Sequence, residues 1–518
     1  MKPIRLMRSF ATVGGWTLAS RILGFVRDIL MARYIGAGAV ADAFFVAFSL
    51  PNMFRRFFAE GAFNAAFVPM FTKKNTIDPT DAGAFARDAY WLMASVLIIF
   101  SAIAMVAMPL LVWAMAAGFG GDDRFDMAVL FGRIAFPYIL FISLTALLSG
   151  MLNATGRFAA AAAAPVLLNA TFIASLFLAA HRGWPIGLTL AWAVPVGGVA
   201  QLVTVWIAVR RAGFSMRFRR PTLTPELKRL LIIAAPAVLA GGVVQINLIV
   251  GRQVASFTEN AISWLSYADR LYQLPLGVVG IAVGVVLLPE LARRLREGEV
   301  ERARDAFSRG MEFSLALTLP AAVALVVAAH PIISVLFERG AFTATDTANT
   351  ALALAIYGLG LPAFVLHKAL QPLFFAREDT RSPFRYALNS MVVNAVIAVG
   401  LMPFIGFTAA AWGTTLAGWA MVFQLWYGAR RMGEAARPDA RMRDRLWRII
   451  LASIFMGLCL WLAARALAPM LYGPGRSLAL LALVMAGIVS YFGLGAMIGA
   501  FRLSDFRAAM RRGNANAG

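Results

Sequence analysis

Long apolar segments separated by short polar linkers dominate this chain. About fourteen are evident, and most reach the roughly 20 residues that a helix needs to cross a bilayer. The chain is 60% hydrophobic and 14% charged, and its mean hydropathy is +0.74. These values exclude an ordinary soluble protein. They predict an all-α, polytopic membrane protein with fourteen transmembrane helices at about 10–33, 41–72, 84–117, 127–153, 158–181, 185–211, 226–251, 261–292, 305–336, 345–376, 382–403, 408–431, 445–468 and 477–501.

The basic residues gather in alternate linkers. The formal net charge is +22, which in a soluble chain would suggest a nucleic-acid partner. Here the basic runs lie at 210–229, 293–309, 377–385, 430–448 and 502–512. Because cytoplasmic loops of membrane proteins carry the excess of Lys and Arg, this pattern predicts that both termini and these loops are cytoplasmic. No nucleic-acid partner is expected.

A weak internal repeat divides the chain. An offset of 225 residues aligns Pro137 with Pro362, Thr155 with Thr380, and Asn169 with Asn394. The repeat predicts an N-terminal half at 1–211, a basic cytoplasmic linker at 212–225, a C-terminal half at 226–431, and helices 13 and 14 with a basic tail at 432–518. Two six-helix repeat halves plus a C-terminal helix pair are expected. Paired repeats are typical of transporters, whose substrate site lies between the halves.

Three charged residues interrupt the second apolar segment. Arg55, Arg56 and Glu60 lie near its middle, where an arginine costs about 2.5–3.5 kcal/mol on insertion scales. On a helix, Arg56 and Glu60 share one face with Asn52, so they could form a structural ion pair. Arg55 lies about 100° to the side, and the residue four positions after it is Ala59 and not a carboxylate. We therefore expect a bound anion near this segment.

Segments 1 and 8 carry further charges. Segment 1 contains Arg21, Arg27 and Asp28, and segment 8 contains Asp269 and Arg270. Arg21–Asp28 and Asp269–Arg270 could be structural pairs, yet the arginines in the spans outnumber the charges that such pairs neutralise. The planar guanidinium binds two phosphate oxygens at once, which an ammonium group does not. These residues predict a phosphate or diphosphate site formed by three arginine-bearing helices.

Other kinds of chemistry have little support in the sequence. The single cysteine, Cys459, lies in an apolar run, and the histidines His181, His330 and His367 are scattered. We expect no disulfide framework, no metal site and no cofactor. His367, next to Lys368, is interpreted as an interhelical contact. No catalytic motif with its structural context is present, so the chain is not expected to be an enzyme.

Three long stretches resemble the MurJ (MviN) family of lipid II flippases. They are SRILGFVRD (20–28), ADAFFVAFSLPNMFRRFFAEGAFNAAFVP (41–69) and SWLSYADRLYQLPLGVVGIAVGVVLLPEL (263–291). The resemblance implies a transporter of the multidrug/oligosaccharidyl-lipid/polysaccharide exporter type in the bacterial inner membrane. It implies alternating access that moves undecaprenyl-diphosphate-linked peptidoglycan precursor to the periplasmic leaflet. Lipid II, membrane lipids and the cell-wall synthesis machinery are the implied partners.

The resemblance also implies roles for individual residues. The family's cavity arginines correspond to Arg21, Arg27, Arg55 and Arg270. Asp42 and Glu60 occupy matching acidic positions, and the groove between segments 13 and 14 would accept the lipid tail. Asp28, Arg56 and Asp269 complete the supporting charges that we expect around the cavity.

The sequence departs from the family pattern in two respects. A position after Arg270 that is often acidic is Gln273 here, which removes a negative charge. Sodium coupling has been proposed for some family members, and a sodium site favours hard oxygen ligands that include a carboxylate. The interiors of segments 7, 11 and 12 offer Asn247, Asn389, Asn394, Thr414 and Thr415, but no acidic residue. No sodium site is therefore expected.

Other functions remain open at this point. An exporter of drugs or of another lipid-linked oligosaccharide predicts fewer cavity arginines or a carboxylate-based ion site. A membrane-embedded polyprenyl-phosphate glycosyltransferase needs a catalytic carboxylate in an outer loop, but Asp122, Asp123 and Asp126 are interpreted as solvated. A purely structural scaffold leaves the arginines in the spans unexplained.

Overall fold

The computed structural model describes a helical chain. The described backbone covers residues 3–56, 62–218, 220 and 222–500, and the side chains of these residues except at 3–11, 62–65, 234–244, 246–247 and 278–286. Within these ranges no strand occurs. The helices are α1 Pro3–Ile35, α2 Ala39–Arg55, α3 Ala62–Ile77, α4 Pro79–Val106, α5 Met108–Met115, α6 Asp123–Ala135, α7 Tyr138–Ala154, α8 Ala159–Arg182, α9 Ile186–Arg211, α10 Pro225–Ser256, α11 Ala261–Arg296, α12 Val300–Val327, α13 Ala329–Phe337, α14 Ala344–Phe375, α15 Arg381–Ile405, α16 Thr408–Ala429, α17 Ala440–Ala466, α18 Ala468–Leu471 and α19 Arg476–Met497.

Each predicted apolar segment falls on one helix or on two consecutive helices. Segment 41–72 falls on α2 and α3, and residues 57–61 between them lie outside the described part. Segments 84–117, 127–153 and 305–336 divide next to proline, which removes a backbone donor and clashes with the preceding turn. α4 and α5 separate at Ala107, two residues before Pro109, and α6 and α7 separate at Phe136 and Pro137. α12 and α13 separate at Ala328, shortly before Pro331. The pair α12–α13 thus repeats the form of α4–α5, whereas α14 continues through Pro362, the predicted repeat partner of Pro137. The internal repeat stays a prediction.

The described helices have the length and composition of membrane spans. Nine of the helical segments in the described part are long and apolar enough to cross a membrane. The helices α1, α10 and α11 are not among these nine, although they contain 33, 32 and 36 residues. At 1.5 Å per residue, each exceeds the roughly 30 Å of the hydrocarbon core. The polytopic all-α class is confirmed, and the count of fourteen stays a prediction.

The chain forms two compact units. The first comprises Met1–Ser263 with Arg339–Phe342, and the second comprises Trp264–Glu338 with Thr343–Gly518. The core of the first contains fully buried aromatic side chains, among them Phe44, Phe67 and Phe172. That of the second includes a cluster around Phe307, Leu370 and Leu425. These units differ from the predicted division at 212–225, which rests on sequence repetition and stays a prediction.

Candidate functional site

A buried arginine joins α1 to α8 in the first unit. The side chains of Arg27 and Asp28 are only 9% and 8% exposed. Nε and Nη2 of Arg27 both donate to Oδ1 of Asp28, at 3.0 and 2.7 Å. Nη1 of Arg27 donates to Oδ1 of Asn169 at 3.0 Å. The guanidinium is therefore held by two side chains from two different helices.

Asn169 is itself held in place. Its Nδ2 donates to the backbone oxygen of Ser20 at 3.0 Å. Gly24 faces this amide, and a Cβ at that position would lie 3.4 Å from Nδ2. The ring of Phe172, one turn further along α8, lies 5.5 Å from Cζ of Arg27. The hydrogen bonds described here use three of the five N–H donors of Arg27, and one remains on each terminal nitrogen.

Arg21 lies on a different face of α1 from Arg27. It is exposed, whereas Arg27 is buried. Six residues of helix separate the two by about 9 Å along the axis and by about 120° around it. Asp28, which the sequence allowed to pair with Arg21, hydrogen-bonds to its neighbour Arg27. Asn169 holds Arg27 in place. In the sequence, Asn169 stood out only because the repeat aligns it with Asn394.

The arginines of segment 2 lie at the end of α2. Arg55 is half-buried and Arg56 is exposed. Asn52, which was expected to share a polar face with Arg56, donates to the backbone oxygen of Phe48 at 2.8 Å. Glu60 lies outside the described residues, so the proposed Arg56–Glu60 pair stays a prediction.

Asp42 is completely buried in the first unit. Its Oδ1 accepts hydrogen bonds from the backbone nitrogen and the hydroxyl of Ser263, at 2.8 and 2.6 Å. Its Oδ2 lies 3.6 Å from Nη1 of Arg124 on α6. Arg124 is 5% exposed, and its guanidinium lies over the Phe119 ring at 4.5 Å. Arg124 lies between the predicted segments 84–117 and 127–153, and sequence reasoning missed this buried ion pair.

Asp123 and Asp126 are exposed, and the side chain of Asp122 is 33% exposed but also has a structural role. Asp122 caps α6, because its Oδ1 accepts from the backbone nitrogen of Arg124 at 2.9 Å. Its Oδ2 also accepts from Nε of Arg124 at 2.5 Å. The backbone N–H of Arg124, more than its side chain, lowers the pKa of Asp122. An acidic residue directly before an apolar run is a helix-start signal that could have identified this cap.

The second unit presents Asp269 and Arg270 on α11. Arg270 is exposed and Asp269 is half-buried. Nε2 of Gln273 donates to Oδ2 of Asp269 one turn away. The neighbouring Tyr272 packs against Tyr357, with ring centroids 5.1 Å apart. The amide at position 273 therefore does more than remove a negative charge, since it hydrogen-bonds to the carboxylate beside Arg270.

The predicted site residues are distributed over both units. The first holds Arg21, Arg27, Asp28, Asp42, Arg55 and Arg56, and the second holds Asp269 and Arg270. The convergence of these arginines on one diphosphate stays a prediction. His367 and Lys368 lie half-buried on α14. Among the residues that the structure describes, no three His, Cys, Asp or Glu side chains form a group that could hold a metal ion.

Comparison with known sequences identifies relatives over nearly the whole chain. The family described as "Lipid II flippase MurJ" matches residues 31–483. A probable lipid II flippase MurJ of Rhizobium tropici is 46% identical, with 98% of this chain and 97% of the relative covered. A lipid II flippase MurJ of Burkholderia cenocepacia is 35% identical, with 89% of this chain and 90% of the relative covered.

Solved structures agree with these relatives. A structure described as lipid II flippase MurJ in an inward closed conformation aligns with a TM-score of 0.78 and 25% identity, covering 94% of this chain and 98% of that one. An inward-facing multidrug resistance MATE transporter of the MOP superfamily aligns with a TM-score of 0.67 and 14% identity, covering 80% of this chain and 95% of that one. This second likeness concerns the fold alone. The chain belongs to the MurJ family of lipid II flippases.

Proposed function

We propose that this chain moves lipid II, the undecaprenyl-diphosphate-linked peptidoglycan precursor, across the bacterial inner membrane. The lipid passes from the cytoplasmic to the periplasmic leaflet by alternating access. Arg21, Arg27, Arg55 and Arg270 bind the diphosphate. Both termini and the linker 212–225 lie in the cytoplasm. Membership of a transporter family supports this function, and catalysis is not part of the proposal.

The observation that carries the proposal is the orientation of Arg27. A charged side chain within a membrane-spanning helix is a candidate functional residue, because its desolvation must be offset by specific partners. Asp28 and Asn169 provide those partners and fix the plane of the guanidinium. Since the group is oriented before the substrate arrives, little side-chain entropy is lost when a phosphate oxygen meets its two remaining N–H donors.

The balance of charge also favours a diphosphate. Asp28 neutralises Arg27 in a 2.7 Å ion pair, so this pair alone attracts an anion weakly. Arg21 and Arg55 add positive charge in the same unit. Arg270 adds a further cation on α11, beside the Asp269 carboxylate that Gln273 hydrogen-bonds. The excess of arginine over carboxylate is what a doubly charged headgroup requires.

The test is the distribution of lipid II between the leaflets after the protein is depleted. We expect lipid II to accumulate in the cytoplasmic leaflet and to return to normal when the parent protein is restored. Accumulation of a different lipid-linked oligosaccharide, with lipid II unaffected, would favour the alternative exporter function.

Substitutions of Arg270 test whether this residue belongs to the proposed diphosphate site. Arg270→Ala should abolish complementation and Arg270→Lys should lose much of it, because an ammonium group cannot make the paired phosphate contacts. Arg296→Ala, at the basic end of the same helix, is the matched control and should complement fully. Full complementation by Arg270→Ala at parental abundance would remove Arg270 from the site.

A further inference from the structure

An apolar pocket opens among four helices of the second unit. It holds about 330 Å³ and is bounded by α12, α14, α16 and α17. Its walls are apolar apart from one arginine, and include Leu315, Leu366, Leu370, Val422, Trp426 and Leu446. A volume of this size falls within the range of ligand pockets, about 300–1,000 Å³. The pocket is wide enough for part of a lipid chain.

Among the described residues that line this pocket, Arg443, near the start of α17, is the one that carries a charge. Its side chain is exposed. The surrounding arginines on this surface bind carboxylates: Arg437 pairs with Glu434, Arg441 and Arg445 pair with Glu312, and Arg448 pairs with Asp444. Within the described residues, the Arg443 side chain has no carboxylate within ion-pair distance. A guanidinium without a counter-ion therefore stands beside an apolar cavity.

Ion pairs next to the pocket hold its walls together. Glu312 on α12 accepts from Nη1 of Arg445 on α17 at 2.6 Å, and both side chains are about nine-tenths buried. Arg309 joins Glu312 to Asp439, which caps α17. Charge-assisted bonds of this kind fix the spacing of α12 and α17. These ion pairs therefore hold the walls of the pocket at a defined separation.

We propose that this pocket binds an anionic glycerophospholipid from the cytoplasmic leaflet. One acyl chain fills the apolar cavity, and the headgroup phosphate binds the guanidinium of Arg443. Basic pockets between helices on the cytoplasmic side of a membrane protein commonly bind anionic lipid headgroups. Arg443 lies in the basic region 430–448, which the distribution of charge places on that side.

A phospholipid fits this site better than lipid II does. The arginines proposed for the lipid II diphosphate are absent from the pocket lining. An undecaprenyl chain is also far longer than one acyl chain. Binding of lipid II in this pocket is therefore a different result from binding of a phospholipid. The headgroup of the bound lipid distinguishes the two results.

The test is native mass spectrometry of the full-length protein with phosphatidylglycerol, or with phosphatidylcholine carrying the same acyl chains. The parent should retain phosphatidylglycerol preferentially. Arg443→Gln should lower its affinity about fivefold, the effect of removing one basic residue from an anionic lipid surface. Arg441→Gln, two residues away and ion-paired in the parent, is the matched control and should change affinity little. Leu366→Trp and Val422→Trp should each displace the lipid by filling the cavity, and a melting temperature shows whether each variant is folded.

Three results would overturn the proposal. The first is equal retention of the two phospholipids by the parent. The second is phosphatidylglycerol binding that survives in folded Arg443→Gln and Val422→Trp variants. The third is displacement of bound phosphatidylglycerol by lipid II, which would assign the pocket to the substrate tail. Lipid II transport is measured separately, so failure of this site leaves the proposed function intact.

Discussion

Oδ1 of Asn169 on α8 accepts a hydrogen bond from Nη1 of Arg27 on α1 at 3.0 Å. The same amide donates to the backbone of α1 at Ser20, so one side chain fixes both the helix and its arginine. Asn394 is its repeat partner and is fully buried in the second unit. Two residues of one type at repeated positions therefore allow a direct comparison.

Asn169→Leu should weaken lipid II binding about tenfold while leaving the protein folded. A hydrogen bond to a charged group contributes about 1.5–3 kcal/mol, and its loss frees Arg27 to leave its binding orientation. The measurement is lipid II affinity by native mass spectrometry beside the melting temperature. Asn394→Leu is the control and should reduce stability without a comparable loss of affinity. Equal losses of affinity in both variants would reject the positioning role of Asn169.

Arg55→Ala should retain the fold and abolish transport. Arg55 is half-buried at the end of α2, and a substrate phosphate is its proposed partner. The comparison is the Arg56→Ala/Glu60→Ala double variant, which removes both charges of a predicted structural ion pair. Removing both charges should reduce the stability less than removing one of them. If Arg55→Ala binds lipid II like the parent and only unfolds at a lower temperature, Arg55 is structural.

Removing the Asp42 carboxylate should destabilise the first unit. Asp42→Leu removes the acceptor of the Ser263 hydrogen bonds and leaves Asp122 as the remaining carboxylate partner of Arg124. Loss of one partner from a buried ion pair costs about 3–5 kcal/mol of stability. Asp42→Leu/Arg124→Met should recover part of the stability, because both charges are then absent. Melting temperatures in detergent test this expectation. A double variant no more stable than Asp42→Leu would show that the pair is not coupled.

Asp122 should give the fold an acid-sensitive contribution. Hydrogen bonds from Arg124 lower its pKa below the ordinary value of 3.8. A carboxyl whose pKa is lower in the folded state stabilises the protein above the unfolded pKa. This stability is therefore lost as pH falls below about 4 through the folded pKa. Asp122→Asn should flatten the dependence of the melting temperature on pH in that window, whereas Asp123→Asn next to it should not.

The orientation can be tested with single cysteines in a Cys459→Ala background. Ser215→Cys lies in the predicted cytoplasmic linker and should resist an impermeant thiol reagent in intact cells. Asp123→Cys lies at the start of α6 on the predicted outer side and should react. Both positions are exposed, so access to the reagent depends on the side of the membrane. Labelling of Ser215→Cys from outside would contradict the predicted cytoplasmic location of the linker.

The sequence by itself determined the class of fold. Apolar runs set the helices because, in lipid, the backbone must satisfy its own hydrogen bonds. Prolines such as Pro109 and Pro137 are where apolar segments divide into two helices. The excess of arginine within apolar runs also indicated an anionic ligand before any contact was known.

Only the tertiary structure decided which charges are partners. Asp28 could have paired with Arg21 by helical spacing, but α8 brings Asn169 and Phe172 to α1 and buries Arg27. Arg124 belongs to a loop by sequence, yet the packing of α6 against α2 places it beside Asp42. Periodicity describes the faces of one helix. The Asp42–Arg124 ion pair and the Arg27–Asn169 hydrogen bond join residues 82 and 142 positions apart, so they depend on which helix faces meet. Side-chain packing between helices determines which faces meet, and local sequence periodicity does not predict it.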